Sequence, residues 1–341
     1  MKKIVIVGGG FAGSYCARRL ENNFEVTLID RKDYFEFTPS IIRALVEPEH
    51  ISKITVLHQE YLKKVKIVKG EAEEISPKMV LANGKEYLYN FLIICSGSKY
   101  NTPIKEKNLI ILSRIKGIKK HANALKKAKS VLVIGGGLVG VELAAEIAER
   151  FPHKKITLVH SKEKLLERSS TKAQNYAQSF LEKKKIKIIL NQIASDVNGI
   201  FITDKDLKLK ADITFWCTGI TPNYEFLEKC SVDLNDRNYL CVNKYLQVIG
   251  HKHIFAGGDI TNIAEEKTAQ NAEEQAKLIV KNIIHLEKNR HLEEYNSKER
   301  IMVISLGQKN GMITYKNIVI TGYIAGILKR MIEWKTMRRF K

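Results

Sequence analysis

No run of about eighteen consecutive apolar residues occurs in this chain, which excludes a membrane-spanning helix. Cysteine is scarce. Cys16, Cys95, Cys217, Cys230 and Cys241 form no C-x-x-C pair and no disulfide-framework spacing, which points to a reducing cytoplasm. The nine histidines show no metal-ligand spacing, and no metal is expected. Met1-Lys2-Lys3 leads directly into an apolar run, so no signal or transit peptide is expected, and Lys2 stands where N-myristoylation requires glycine. Acidic residues are also short: 37 Asp and Glu against 57 Lys and Arg leave a formal charge of +20. Such an excess suits nucleic acid, an anionic membrane surface or anionic cofactors, or it reflects a lysine-rich composition. No recognition helix, zinc spacing or aromatic–basic interleaving accompanies it, so no nucleic-acid partner is expected.

What is present begins at the N-terminus. Ile4 to Val7 read as a buried strand, and Gly8-Gly9-Gly10-Phe11-Ala12-Gly13 supplies G-x-G-x-x-G. The first glycine allows the tight turn, the second lets backbone approach a pyrophosphate, and the third lets a helix from about Phe11 pack closely. That helix start offers unpaired N–H groups and a positive dipole end to phosphates. A second strand, Phe24 to Ile29, ends in Asp30, placed to bond a ribose hydroxyl. Arg43, in Ser40 to Val46, faces the phosphates or ring of a flavin, or lies on an ordinary surface helix. Residues 65–90 read as short strands with Asn83-Gly84 as a hairpin turn, before a buried strand from Phe91 to Gly97.

The pattern then repeats. Val131 to Ile134 is a strand, Gly135, Gly137 and Gly140 are its glycines, Val141 to Arg150 a helix and Ile156 to Val159 a strand. A helical stretch near 172–184 leads to an Asn198-Gly199 turn and to Ile213 through Gly219, which matches the earlier strand–Cys–Ser–Gly. Gly8 and Gly135 are 127 residues apart, Cys95 and Cys217 122. An internal duplication of this size predicts an α/β fold of two Rossmann-like domains, the second inserted in the first, and hence two dinucleotides. The boundaries read 1–104 with 238–288, then 105–237, then a small C-terminal region, 289–341. The return strand Ile254 to Ala256 ends in Gly257-Gly258-Asp259, and Thr268-Ala269-Gln270-Asn271-Ala272 opens a helix running to about His285. Asp259 there binds ribityl hydroxyls or merely caps a helix, and the helix dipole stabilises charge on a reduced flavin.

Glu142 falls in the first turn of a helix aimed at the cofactors, as a nicotinamide or ribose contact or as plain helix electrostatics. His160 takes the place of the acid that selects NADH, and no arginine pair replaces it, so NADH and NADPH both stay open. Cys95 and Cys217 end buried strands, where small core residues belong. Gly322 to Lys341 reads as a basic amphipathic helix or helix pair, with Tyr323, Ile324, Ile327, Leu328, Met331, Ile332 and Trp334 at helical spacing. Such a helix lies in a lipid headgroup layer, or it packs on the protein's own core or on a second copy in a homodimer.

Taken together, the two glycine loops, the two strand-Cys-[Ser/Thr]-Gly stretches and the late Gly-Asp resemble the two-dinucleotide flavoprotein reductases. Within them, Gly140 to Ile147, Ile156 to Ser161, Ile42 to Glu47 and Trp334-Lys335-Thr336-Met337-Arg338 resemble the ferroptosis-suppressor, apoptosis-inducing-factor-like quinone oxidoreductases across essentially the whole chain. The resemblance implies FAD at Gly8 to Gly13, Asp30, Arg43, the backbone near Val68, Gly97 and Asp259 with Gly258. It implies NAD(P)H at the second loop, Glu142, His160 and Gly219, and a lysine, Lys105, near the flavin. Thr268 and Ala269 open a stretch more similar to the quinone-site helix of type II NADH dehydrogenases. The related disulfide reductases carry cysteines after the first strand unit; residues 31–60 have none, which excludes a thiol relay there. The expectation is an FAD-dependent NAD(P)H:quinone oxidoreductase, peripheral on the inner face of a membrane, with a membrane quinone and an anionic lipid surface as partners. Rival readings are a soluble reductase of a small iron–sulfur carrier and a nucleic-acid-binding protein.

Overall fold

The computed structural model describes residues 1–100, 111–198, 200–228 and 230–340. Its first strand, β1 (Lys3–Val7), is buried at every position from Ile4 to Val7. A strand without polar alternation belongs in a parallel sheet covered on both faces. α1 (Phe11–Leu20) buries Ala12, Cys16, Ala17 and Leu20, and β2 (Glu25–Asp30) returns parallel to β1, from Lys3 opposite Glu25 to Val7 opposite Ile29. An antiparallel pair follows, β3 (Tyr34–Glu36) with β4 (Thr55–Leu57), enclosing α2 (Ile41–Val46) and leading to α3 (His58–Tyr61). β5 (Lys66–Lys69) extends the sheet at β2.

β6 (Ala72–Ile75), β7 (Met79–Ala82) and β8 (Lys85–Leu88) form a meander. Its turn has Asn83 at φ 52° and Gly84 at φ 67°, both left-handed, as a two-residue hairpin needs. β9 (Phe91–Ile94) inserts beside β1, and β10 (Ser98–Lys99) carries the chain out.

α4 (Ile111–Lys127) packs on α2 and opens the second copy. β11 (Ser130–Ile134), α5 (Leu138–Arg150) and β12 (Lys155–Val159) repeat the first unit, and α6 (Thr171–Lys183) leads to β13 (Lys187–Ile189). α5 starts at Leu138 rather than Val141, because the third glycine lies inside its first turn. An antiparallel meander of β14 (Ala194–Val197), β15 (Ile200–Thr203) and β16 (Lys208–Leu209) precedes β17 (Ile213–Trp216), giving the parallel order β13-β12-β11-β17. β18 (Thr221–Pro222) pairs antiparallel with β10, so outgoing and returning chains cross side by side. Beyond β18, Leu227 is buried in one cluster with Val5, Ile29 and Ile94 of the first sheet, so the loop covers that sheet's apolar face. β19 (Ile254–Ala256) completes the order β19-β9-β1-β2-β5, and α7 (Ala269–Glu287) lies against α1.

The C-terminal region holds a sheet that the sequence reading did not anticipate: β20 (Met302–Ser305), β21 (Gly311–Tyr315) and β22 (Ile318–Gly322), antiparallel. One helix, α8 (Tyr323–Met337), lies on it. α8 buries Ala325, Gly326, Thr336 and Met337, its small side, which lets it sit close to the sheet. Its large apolar residues point away: Ile324 is 68%, Met331 58% and Trp334 63% exposed. Among the described residues no helix is long and apolar enough to cross a membrane.

Both glycine loops obey one steric rule. A Cβ on Gly8 (φ +98°) would collide with the Cys95 carbonyl, and one on Gly135 (φ +111°) with that of Cys217. Gly13 rests on the Gly8 carbonyl, and Gly140 on that of Gly135. Gly10 and Gly137 differ, because no protein atom lies within 4 Å of where a Cβ would stand. Gly13→Ala and Gly140→Ala are therefore each expected to cost about 1–3 kcal/mol by overpacking. Gly10→Ala is expected to cost less than about 1 kcal/mol. Denaturant unfolding of the three variants checks this ordering.

Candidate functional site

A cleft of about 1290 Å³ runs between the two parallel sheets and the C-terminal region. Single-ligand pockets usually span about 300–1,000 Å³, so this one has room for more than one ligand. Gly8, Gly9, Gly10, Phe11 and Ala12 line it beyond the end of β1, and Asp30 at the end of β2, with Gly97 also in the lining. Gly258 and Asp259 enter from the end of β19, and Thr268 and Ala269 from the start of α7. The second domain contributes Glu142 with Leu138 and Val139, all from the first turns of α5. The structure thus gathers most of the expected residues, which are far apart in sequence, around one cavity.

The others stand elsewhere. Gly13 is packed beneath Gly8, and Val68 pairs with Ile29 inside the first sheet. Gly135, Gly137, Gly140, His160 and Gly219 belong to the second sheet's own crevice and do not line the large cleft. Arg43 does not line it either; its guanidinium turns to Glu146 on α5. Lys105 lies outside the described residues, as does Gly199 of the second Asn-Gly turn.

The starts of α1 and α5 have glycine N-caps, Gly10 and Gly137, and no side chain caps either one. Their first-turn amides are left to a ligand, and the positive dipole ends favour an anion. Asp30 Oδ2 accepts the Gly9 N–H at 2.7 Å, and Oδ1 accepts that of Lys32 at 3.1 Å. Across the cleft, Ser98 Oγ donates to Asp259 Oδ2 at 2.6 Å. The Gly258 N–H is held at 2.6 Å by Gln275 of α7, and Thr268 Oγ1 caps α7 by accepting from the Asn271 N–H.

In the second domain His160 occupies the seat that Asp30 holds in the first. Its Nδ1 accepts the Gly136 N–H at 3.1 Å, which places the imidazole proton on Nε2, 3.3 Å from Glu167 Oε2. Burial pushes the imidazole pKa down, against the pull of Glu167, so the ring is neutral at pH 7. This seat presents a neutral face where the first presents a carboxylate.

Between cleft and protein surface, α2, α5 and α8 meet in a buried ionic cluster. Glu142 Oε1 accepts the Ser305 N–H at 2.7 Å and the Lys329 ammonium. Glu146 Oε1 accepts from Arg43 Nη2 and from Ser305 Oγ, each at 3.2 Å. His50 Nε2 lies 3.0 Å from Glu333 Oε2. Burial pushes the Glu146 carboxyl up, and Arg43 only partly offsets it. Sequence reasoning missed Glu146, Ser305 and Lys329. The legible signal was the i, i+4 repeat of acids, Glu142 and Glu146, on the apolar face of α5, since two such charges are kept there only with cationic partners.

The model of the pyridine nucleotide-disulphide oxidoreductase family matches residues 2–276. The chain belongs to that family. This oxidoreductase is 34% identical over 365 residues to apoptosis-inducing factor homolog A of Dictyostelium discoideum, covering 96% of this chain and 88% of that one. It is 28% identical over 359 residues to human ferroptosis suppressor protein 1, covering 98% and 96%. Solved structures with the same fold include NDH2 from Plasmodium falciparum in complex with NADH (TM-score 0.85, 18% identity, 99% and 96% covered). The sulfide:quinone oxidoreductase of Aquifex aeolicus also shares it (TM-score 0.84, 20% identity, 99% and 92% covered). The protein is an NAD(P)H-dependent flavoprotein oxidoreductase, with FAD as cofactor and NAD(P)H as co-substrate.

In this oxidoreductase all five cysteines are free thiols. Cys95 and Cys217 end the strands beneath the two glycine loops, and burial pushes the Cys217 thiol up to about 12. Removing one partner of a buried ion pair typically costs about 3–5 kcal/mol. Arg43→Ala is expected to fall in that range, because Glu146 would stay buried without its guanidinium; calorimetric or denaturant unfolding measures it.

Proposed function

We propose that the protein carries electrons from NAD(P)H through FAD to a membrane quinone, without a redox-active disulfide. FAD would lie along the first glycine loop. Residues 1–100 and the segment from Tyr224 through α7 would form its domain, and the stretch from α4 to β18 the NAD(P)H domain. The open Gly10 and the uncapped start of α1 fit a pyrophosphate, while Asp30 would accept a ribose hydroxyl and Asp259 would hold the ribityl chain. Glu142, with its Lys329 partner, sits where the two domains face each other across the cleft. Bound FAD supplies the chemistry, taking hydride from nicotinamide and passing electrons to the acceptor. The residues of this chain bind and orient: glycine-loop amides hold phosphates, the α7 N-terminus favours negative charge beside it, and the domain walls exclude water.

One observation carries the choice of acceptor. The lining of the cleft extends from the glycine loop to Met302, Val303, Leu328 and Ile332, interspersed with Lys316, Lys329, Lys335 and Arg339, and α8, which supplies Leu328 and Ile332, also carries the exposed Ile324, Met331 and Trp334. Ile318 and Ile320 of the neighbouring β22 are exposed as well, and the same two elements and the residues flanking them carry the exposed cations Lys316, Arg330, Lys335 and Arg338. The Arg338 guanidinium lies 5.2 Å from the Trp334 ring centre. Apolar side chains ringed by cations are what an anionic headgroup layer receives, and a lipid-soluble acceptor then enters from the bilayer. Relatives named ferroptosis suppressor protein 1 and a structural neighbour named sulfide:quinone oxidoreductase support the same reading.

His160 bears on the co-substrate. A neutral ring in the acid's usual seat does not repel a 2′-phosphate, which favours use of both NADH and NADPH.

Two experiments test the proposal. Replacing Ile324, Met331 and Trp334 by Glu is expected to abolish flotation with phosphatidylglycerol-containing vesicles while leaving turnover of a water-soluble quinone analogue unchanged. Retained flotation would refute the membrane role of α8, and turnover with an iron–sulfur carrier but with no quinone would replace the acceptor. His160→Asp is expected to lower kcat/KM for NADPH by at least about tenfold relative to NADH, the scale of one unfavourable charge contact.

A further inference from the structure

Behind the first glycine loop lies a closed ring of hydrogen bonds that begins and ends on Gly9. The Gly9 N–H donates to Asp30 Oδ2 at 2.7 Å. His58 Nε2 lies 3.3 Å from the same oxygen, and His58 Nδ1 is 2.7 Å from the Tyr61 hydroxyl. Tyr61 Oη is 2.8 Å from Ser14 Oγ, and Ser14 Oγ donates to the Gly9 carbonyl at 2.7 Å. His58 and Ser14 have no exposed surface, and Tyr61 and Asp30 are buried. None of His58, Tyr61 and Ser14 lines the cleft.

The protons of this ring can be counted. Its side-chain part has four contacts, and both ends, the Asp30 carboxylate and the Gly9 carbonyl, only accept. The single Ser14 proton goes to Gly9, so the Tyr61 proton must go to Ser14. The contact between Tyr61 and His58 then needs a proton on Nδ1, and the contact with Asp30 needs one on Nε2. A neutral imidazole leaves the ring one proton short. The alternative, a proton on Asp30, is disfavoured: burial raises its carboxyl, but the His58 hydrogen bond and charge, with Lys32, outweigh that and hold it below the ordinary value. Burial pushes the Tyr61 phenol up, so it keeps its proton to donate.

We propose that His58 is an imidazolium and, with Tyr61, a positioning residue for FAD, holding Asp30 and Gly9 in place and setting a fixed positive charge behind the pyrophosphate loop. Proximity supports the charge's role, because His58 is so near Gly9 that a Cβ there would touch its ring. The charged groups facing the ring are Asp30, Lys32 and Arg18, and Arg18 donates to the Arg339 carbonyl. Phe340, stacked on Phe35 and edge-on to Tyr61 at 4.8 Å, seals the ring from solvent. Among the described residues the second domain shows no such His–Tyr pair behind its loop: His160 itself takes the Gly136 N–H, with Glu167 on its other nitrogen. The asymmetry matches a resident cofactor in the first seat and a co-substrate that must leave the second.

The inference rests on FAD occupying the first loop. In the ¹⁵N-histidine spectrum of the full-length holoprotein at neutral pH, both His58 ring nitrogens are expected to carry protons; a neutral-imidazole signal would overturn the proposal. His58→Ala and His58→Gln are expected to speed FAD release at least about tenfold, the scale of one charge-assisted hydrogen bond. His58 variants that hold FAD as the wild type does, while Asp30→Ala loses it, would defeat this proposal alone. Retention by Asp30→Ala as well would move FAD away from the first loop.

Discussion

The contact of Gly13 with the Gly8 carbonyl, repeated by Gly140 on Gly135, is the constraint on which the rest of the molecule depends. Any side chain at the third glycine would lift the helix off the strand end. With the helix seated, its first-turn amides reach the mouth of the sheet and the middle glycine is left open. Every later feature uses that geometry. β9 and β17 are followed directly by Cys95 and Cys217, whose carbonyls press on Gly8 and Gly135 and close each loop from below.

The first seat and the start of α5, which line one cleft, still have to be fixed relative to each other. The paired crossings β10 and β18 do part of this, and the cluster of Arg43, Glu142, Glu146, Ser305 and Lys329 does the rest. Each pair joins a different element to α5, so the α2 segment and the C-terminal layer meet on that one helix. Charges buried at such a junction resist sliding, because any displacement leaves one of them desolvated and unpaired. The same cluster links α8, the helix with the exposed apolar face, to the wall of the cleft.

The duplicated domains differ in the side chains behind their glycine loops. One seat has a carboxylate braced by a histidine, a tyrosine and a serine; the other has a single neutral histidine. Duplication thus preserved the backbone geometry and left side chains behind the loop free to diverge, since only the glycines are sterically constrained.

The sequence by itself determined the two strand–glycine–helix units, their nesting, Asp30 and Asp259 as strand-end acids, and the large apolar residues of α8. All of these are local: a period, a turn requirement or a fixed offset from a glycine carries each one. It did not disclose that Arg43 turns to Glu146, that Leu227 is buried against the first sheet, or that a three-stranded sheet supports α8. Nor did it show that His58, 28 residues after Asp30, closes a ring upon it. Such pairings depend on which distant surfaces meet, and no local pattern encodes that. The orientation of α8 was decided the same way: its spacing showed an apolar stripe, but only the sheet, by taking the small side of Ala325 and Gly326, turned that stripe outward.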